Sequence, residues 1–156
     1  MEKELRVEPI HNGTVIDHIR AGQALNVLKI LGITGASKAV ISVAMNVPSK
    51  IIASKDIVKI EDRELAPEEV DKIALIAPNA TINIIRDYEV IEKHNVHLPD
   101  EIEGIIKCAN PNCISNTKEP ISSKFVLHEV DPLQFRCFYC DRILIGDFID
   151  YVKTRS

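Results

Sequence analysis

An α+β fold in two parts is what this sequence predicts, and three observations carry it. Over the first hundred residues, extended and helical patterns follow one another in the order β-α-β-β-α-β. All four cysteines come later, as Cys108-Ala-Asn-Pro-Asn-Cys113 and Cys137-Phe-Tyr-Cys140. Six of the seven aromatics (Phe125, Phe135, Phe138, Tyr139, Phe148 and Tyr151) join them there, whereas the earlier residues offer only Tyr88 among Ile, Val, Leu and Ala. Two separate cores follow, and the domains are expected at 1–100 and 101–156.

Residues 5–10 open as a strand, His11-Asn12-Gly13 make a turn, and 14–19 resume an extended, β-branched pattern. Ala24, Leu25, Leu28 and Leu31 then recur at helical spacing, and Gly32 ends the run as a C-terminal glycine does. Residues 39–47 and 56–61 read as two further strands. A second helix starts with Pro67 at its first position and Glu68 and Glu69 in its first turn. It presents Val70, Ile73, Ala74 and Ala77 on one face before Pro78 stops it. Residues 81–86 and 88–92 supply the last extended segment. This order matches the ferredoxin-like arrangement, an antiparallel sheet with both helices on one face.

His97-Leu98-Pro99-Asp100 reads as the connector, because proline disfavours helix before it and the composition changes just beyond. Residues 101–107 lead into the first cysteine pair, and 124–130 with 134–138 form a hairpin around Asp131-Pro132-Leu133. Two short loops that each offer two thiolates to one ion are the pattern of a structural zinc site, so Cys108, Cys113, Cys137 and Cys140 are the expected ligands of a Zn2+ in a small zinc-ribbon-like β domain. A pair of disulfides is the competing reading, and it requires an oxidising compartment that a chain without a secretory segment does not meet. Four sulfur ligands leave no position for substrate or activated water, so the metal is structural. About fifty residues make a marginal core, and a metal supplies what is missing.

Composition narrows the function. The chain of 156 residues is 46% hydrophobic and 27% charged, as expected of a soluble globular protein, and its most apolar stretch, 39–47, is far too short to span a bilayer. The charged N-terminus leads into no apolar segment, and a cytoplasmic location is expected. Net charge is −5 through residue 106 and +1 beyond it, so neither part is a polyanion-binding surface by bulk charge. No phosphate-loop, dinucleotide, nucleophile-elbow or metalloprotease motif occurs, and the expectation is that the chain is not an enzyme. Asp17 and His18 interrupt an apolar strand, which costs stability unless they are paired or used. Taken alone they read as a satisfied structural pair. Strict alternation also sends them to opposite faces, so a ligand meeting both requires the strand to end or bend there. Lys59 and Lys93, taken singly, read as solvated strand charges.

Gly13-Thr-Val-Ile-Asp-His-Ile19, Asn46-Val-Pro-Ser49, Lys55-Asp-Ile-Val-Lys-Ile-Glu61, Ala77-Pro-Asn-Ala-Thr-Ile-Asn83, Tyr88-Glu-Val90, Cys108-Ala-Asn-Pro-Asn-Cys-Ile-Ser115 and Phe135-Arg-Cys-Phe-Tyr-Cys140 together give the chain a family. It resembles the regulatory chain of aspartate carbamoyltransferase, in a match that joins the βαββαβ part to the cysteine part. The resemblance implies a nucleotide-binding allosteric domain that pairs with its copy in a regulatory homodimer, and a zinc domain that docks on the catalytic chain, where all catalysis lies. It implies the effectors CTP and ATP, with UTP as a further candidate, in feedback control of pyrimidine biosynthesis. By the same resemblance Asp17 and Lys59 reach ribose and base, and His18 and Lys93 meet the phosphates. The backbone at Ile10, Tyr88 and Val90, with Asn83 nearby, lines the pyrimidine side.

The rival from another class is a free-standing zinc-ribbon protein that binds nucleic acid, with Phe138 and Tyr139 stacking on bases. A net charge of +1 over the second part counts against it. A thiol redox protein built on Cys137 and Cys140 leaves the other cysteine pair unexplained.

Overall fold

The computed structural model describes residues 10–35, 38–50, 53–146 and 148–152, and the strand expected at 5–10 lies outside them but for Ile10. The chain divides into two compact units, Met1–His97 and Leu98–Ser156.

The first unit is a five-stranded antiparallel sheet in the order β2-β3-β1-β4-β5. Its elements are β1 (Gly13–Arg20), α1 (Ala24–Ile30), β2 (Ile41–Pro48), β3 (Ser54–Glu61), α2 (Pro67–Ala74), β4 (Thr81–Arg86) and β5 (Glu89–Asn95). The first four strands take the ferredoxin-like order that the sequence predicts. The extended run expected to finish the sheet is two strands, because Asp87 and Tyr88 both adopt left-handed backbone (φ 51° and 66°) and fold it into a hairpin with Arg86 opposite Glu89.

Period-2 alternation assigns the sheet faces. Thr14, Ile16, Val58, Ile60, Ile82 and Ile84 are buried, together with Ala24, Val27 and Ile30 of α1 and Ile73 and Ala74 of α2. The face that α1 buries is rotated from the expected one: Leu25 is 61% exposed, and Val27 takes the inward position. Gly32, at φ 73°, closes α1 as expected, with the amide of Ile33 donating to the carbonyl of Leu28 at 2.9 Å. The second helix ends at Ala74, earlier than Pro78 requires, but tight turns keep Leu75, Ile76 and Ala77 buried. At its start the Glu69 carboxylate accepts the Ala66 amide at 3.0 Å and pairs with Arg63.

Gly13 begins β1 at φ 144°, where a Cβ would lie 2.1 Å from the Ile60 carbonyl oxygen. Only glycine lets β1 approach β3 this closely.

The second unit is a four-stranded antiparallel sheet, β6 (Glu101–Glu103), β7 (Lys124–Val130), β8 (Leu133–Cys137) and β9 (Ile143–Ile145), paired in that order. The β7–β8 hairpin stands where the sequence puts it, while β9 carries no sequence signal longer than Ile143-Leu-Ile145. Phe125, Phe135 and Phe148 are fully buried, and Phe135 meets Phe148 edge to face at 5.6 Å. Phe138 and Tyr139 stay 53% and 39% exposed, with the Lys124 ammonium over the Phe138 ring at 4.6 Å.

Candidate functional site

The helix-free face of the first sheet gathers polar residues by register. Val15 lies opposite Lys59 on one side and Asn83 on the other, and Asn83 lies opposite Lys93. Lys59, Val15, Asn83 and Lys93 therefore form one row across β3, β1, β4 and β5. Asp17 lies one pleat further along the same face, opposite Thr81. Val90 and Lys93 are an odd number of residues apart and would face opposite ways in a regular strand. A bulge at Ile91 corrects this, setting Val90 opposite Ile85 on the polar face.

A second bulge answers the alternation problem at Asp17 and His18. Between Ile16 and Ile19 the pairing with β3 slips by one residue, and His18 turns to φ 58°. The His18 amide donates to Asp17 Oδ1 at 2.6 Å, and the His18 ring comes within 3.9 Å of the same carboxylate instead of crossing the sheet. Its Nδ1 lies 3.3 Å from Thr81 Oγ1. A cavity of about 600 Å³ opens beside His18, Thr81 and Asn95, and of the expected effector residues His18 alone lines it.

Two charged residues of β3 that shape this unit, one at the site and one behind it, were not identified from the sequence. Lys55 Nζ lies 2.9 Å from Asp17 Oδ1, in a pair whose side chains are 17% and 24% exposed. The signal was present: Lys55, Ile57 and Lys59 share a face by period 2. Asp56 points the other way, fully buried among apolar residues. Its Oδ2 accepts the amides of Gly22 at 2.9 Å and Ala24 at 3.0 Å, capping α1, and its Oδ1 accepts the amide of Asn46 at 3.0 Å. Asn46, at φ 59°, sits in the third bulge of the sheet, between Ala44 and Val47 of β2. Burial lowers the Lys59 ammonium below the ordinary lysine range, and the Asp17 carboxylate opposes that shift.

The remaining expected residues gather at the other end of the face. Ile10 is buried, and Tyr88 and Val90 are 67% and 55% exposed. The Tyr88 amide donates to the His11 carbonyl at 2.9 Å, which leaves that amide engaged within the chain.

In the second unit the four cysteine sulfurs lie within 4.8 Å of one another, and Cys108, Cys113 and Cys137 are buried. Separations of 3.6 Å for Cys108–Cys140 and 3.7 Å for Cys113–Cys137 run between the loops. Tetrahedral zinc with sulfur at about 2.3 Å sets sulfur–sulfur edges near 3.8 Å, so the donor set fits the ion. All four cysteines are free, and the disulfide reading fails. The four sulfurs form a structural zinc site. Burial pushes the Cys108 thiol up to about 12. Burial also raises Cys140, but the Arg142 amide, Asn110 and the neighbouring sulfurs outweigh it and bring this thiol down to about 7. Asn116 donates to the carbonyls of Cys108 and Asn110 at 2.9 and 2.6 Å, holding the first knuckle closed.

Two family models match this chain: the allosteric domain of the aspartate carbamoyltransferase regulatory chain over residues 5–97, and the metal-binding domain of the same chain over residues 100–150. The chain is 60% identical over 152 residues to the aspartate carbamoyltransferase regulatory chain of Methanothrix thermoacetophila, covering 97% of this chain and 99% of the relative. It is 59% identical over 152 residues to that of Methanocella arvoryzae, covering 97% of each. For that of Thermococcus kodakarensis the identity is 53% over 149 residues, with 96% and 97% covered.

Proposed function

The chain belongs to the family of aspartate carbamoyltransferase regulatory chains, non-catalytic by kind, and we propose that it binds CTP and ATP at one site on the open face of its first unit. In this reading it conveys their presence to a catalytic chain. The observation that carries it is the register itself, which brings Lys59, Asn83 and Lys93 into one row beside the bulged Asp17–His18 pair. Ammonium and imidazole groups suit a triphosphate, and Lys93 and His18 take that end. Asp17 and Lys59 serve the ribose and base. The backbone of Ile10, Tyr88 and Val90, with Asn83, forms the base end, where amide and carbonyl groups tell an exocyclic amino group from a carbonyl.

The same chain pairs with its copy and docks on the catalytic chain through its zinc unit, in the cytoplasm. UTP is a further candidate effector. Feedback follows from linkage: a nucleotide that binds the low-activity state of the assembly more tightly shifts the populations by its differential affinity, about 1 to 3 kcal/mol in typical systems. ATP competes for the pocket and favours the other state.

A free-standing nucleic-acid-binding zinc ribbon accounts for the second unit alone, while family membership covers both. The test is calorimetric titration of CTP into the purified chain, paired with co-purification of a carbamoyltransferase chain. Saturable binding of CTP, and of ATP in competition with it, is expected. A chain that binds neither, or that associates with no carbamoyltransferase, overturns the reading.

A further inference from the structure

The turn between β4 and β5 is strained and clamped from outside its own hairpin. A two-residue turn with φ above zero at both positions favours asparagine and glycine, yet Tyr88 occupies the second. The segment just before β1 holds it there. The Tyr88 amide donates to the His11 carbonyl at 2.9 Å, and the Asp87 amide donates to Asn12 Oδ1 at 3.2 Å. His11 Nε2 lies 3.0 Å from Asp87 Oδ1, and the His11 and Tyr88 rings meet at 4.9 Å between centroids. Asn12 is fastened in turn, since its carbonyl accepts the Asp62 amide at 2.9 Å and its side-chain amide meets His11 Nδ1 at 3.2 Å. Three strand ends are thus tied at one point, although His11 and Asp87 are exposed and bury little that would reward the arrangement.

We propose that this clamp of His11 and Asn12 on Asp87 and Tyr88 sets the nucleobase selectivity of the effector pocket. The inference rests on the effector reading above, in which the backbone of Ile10, Tyr88 and Val90 forms the base end. Ile10 immediately precedes the clamp and Val90 follows it by two residues, so the clamp fixes the spacing between the two backbone segments that read the base. Rigidly spaced amide and carbonyl groups distinguish a pyrimidine from a purine, because the wrong base leaves a buried polar group unpaired. A backbone freed to adjust accommodates both. His11 and Asn12 are positioning residues here, acting through the backbone of their neighbours.

The experiment titrates CTP, ATP and inorganic tripolyphosphate into the full-length chain and into His11→Ala and Asn12→Ala. Each variant is expected to change the CTP-to-ATP affinity ratio roughly 3- to 10-fold toward one, the effect of losing about one neutral hydrogen bond. Tripolyphosphate affinity stays at the wild-type value, which also reports that the pocket is folded. His11→Gln, which keeps a side-chain N–H for Asp87, recovers most of the ratio. An unchanged ratio overturns the proposal, and so does a parallel loss for all three ligands, which is what a merely structural clamp gives. A wild-type chain that binds no nucleotide defeats the effector reading itself, a result distinct from either.

Discussion

Lys55 reaches across from β3 to set its ammonium 2.9 Å from Asp17 Oδ1, so the acid in the middle of the candidate pocket is already neutralised before any ligand arrives. Removing this cation leaves the carboxylate with only the more distant compensation of Lys59, next to the path of a triphosphate. Lys55→Met is therefore expected to weaken CTP binding roughly 3- to 10-fold at low salt, and less in high salt, where screening shortens the reach of the half-buried carboxylate. Titrations at two ionic strengths check this, and a variant that binds CTP more tightly would show that Lys55 competes with the ligand for Asp17.

The two ends of the row separate by ligand. Lys93→Ala and His18→Ala each remove a partner assigned to phosphate and leave the base end of the face intact. Both should weaken CTP binding more than cytidine binding. Equal losses for CTP and cytidine would refute the assigned roles.

Lys59 gives the pocket a pH dependence whose sign is fixed by its environment. Burial lowers its ammonium below the ordinary lysine range, with Asp17 opposing, so its charge is lost at a lower pH than usual. CTP affinity should decline as pH rises through that lowered value, and Lys59→Arg, which stays charged, should flatten the decline. Stability runs the other way. Between the lowered folded value and the ordinary unfolded one, the unfolded chain binds more protons, so Lys59 makes unfolding harder as pH rises through this window. Calorimetric titration and denaturant unfolding over the same alkaline range check both signs together.

Much of this was legible in the sequence, and the gaps have physical causes. The strand and helix order, the cysteine knuckles and the hairpin of the second unit follow from periodicity and turn residues that act locally. The register that aligns Lys59, Asn83 and Lys93 is non-local: it depends on which strands become neighbours, and it was reachable only through the family resemblance. The Asp17–His18 bulge was half legible, since alternation showed that something must bend but did not show that His18 would turn to φ 58°. Asp56 was not singled out because the expected strand begins at it, and an acid at a strand end reads as solvated, although period 2 places it on the apolar face of Val58 and Ile60. Its burial makes sense only once the start of α1 and the β2 bulge present three amides to it.

That arrangement makes Asp56 the most costly single carboxylate to remove from the first unit. Asp56→Ala leaves the amides of Gly22, Ala24 and Asn46 without their acceptor and opens space in the core. Ala24 is buried while Gly22 and Asn46 lie at the surface, so at about 1 to 3 kcal/mol for a buried group left unsatisfied, plus lost packing, a loss of roughly 2 to 4 kcal/mol is expected. Asp56→Asn keeps one acceptor oxygen and should lose less. Urea unfolding followed in the first unit measures the difference, and a loss below about 1 kcal/mol for the alanine variant would mean that the three amides find other partners.

The zinc centre should fail in a defined order. Thiolates bind the ion only when deprotonated, and burial pushes the Cys108 thiol up to about 12, so loading near neutral pH must expel its proton. Acid therefore favours release, and zinc affinity should fall as pH falls. The second unit has a small core around Phe125, Phe135 and Phe148, and structural zinc contributes on the order of 10 to 16 kcal/mol to folding in comparable peptides. Stripping the metal should unfold residues 101–156 while the first sheet persists and still binds CTP. If the zinc unit docks on the catalytic chain, mercurial displacement of the ion from the whole assembly releases catalytic subunits that stay active and no longer respond to CTP. Hydrogen exchange resolved by unit, with activity measured in the presence and absence of CTP and sedimentation of each species, tests every step. A metal-free assembly that stays intact and responsive to CTP would show that the four sulfurs hold no part of the contact with the catalytic chain.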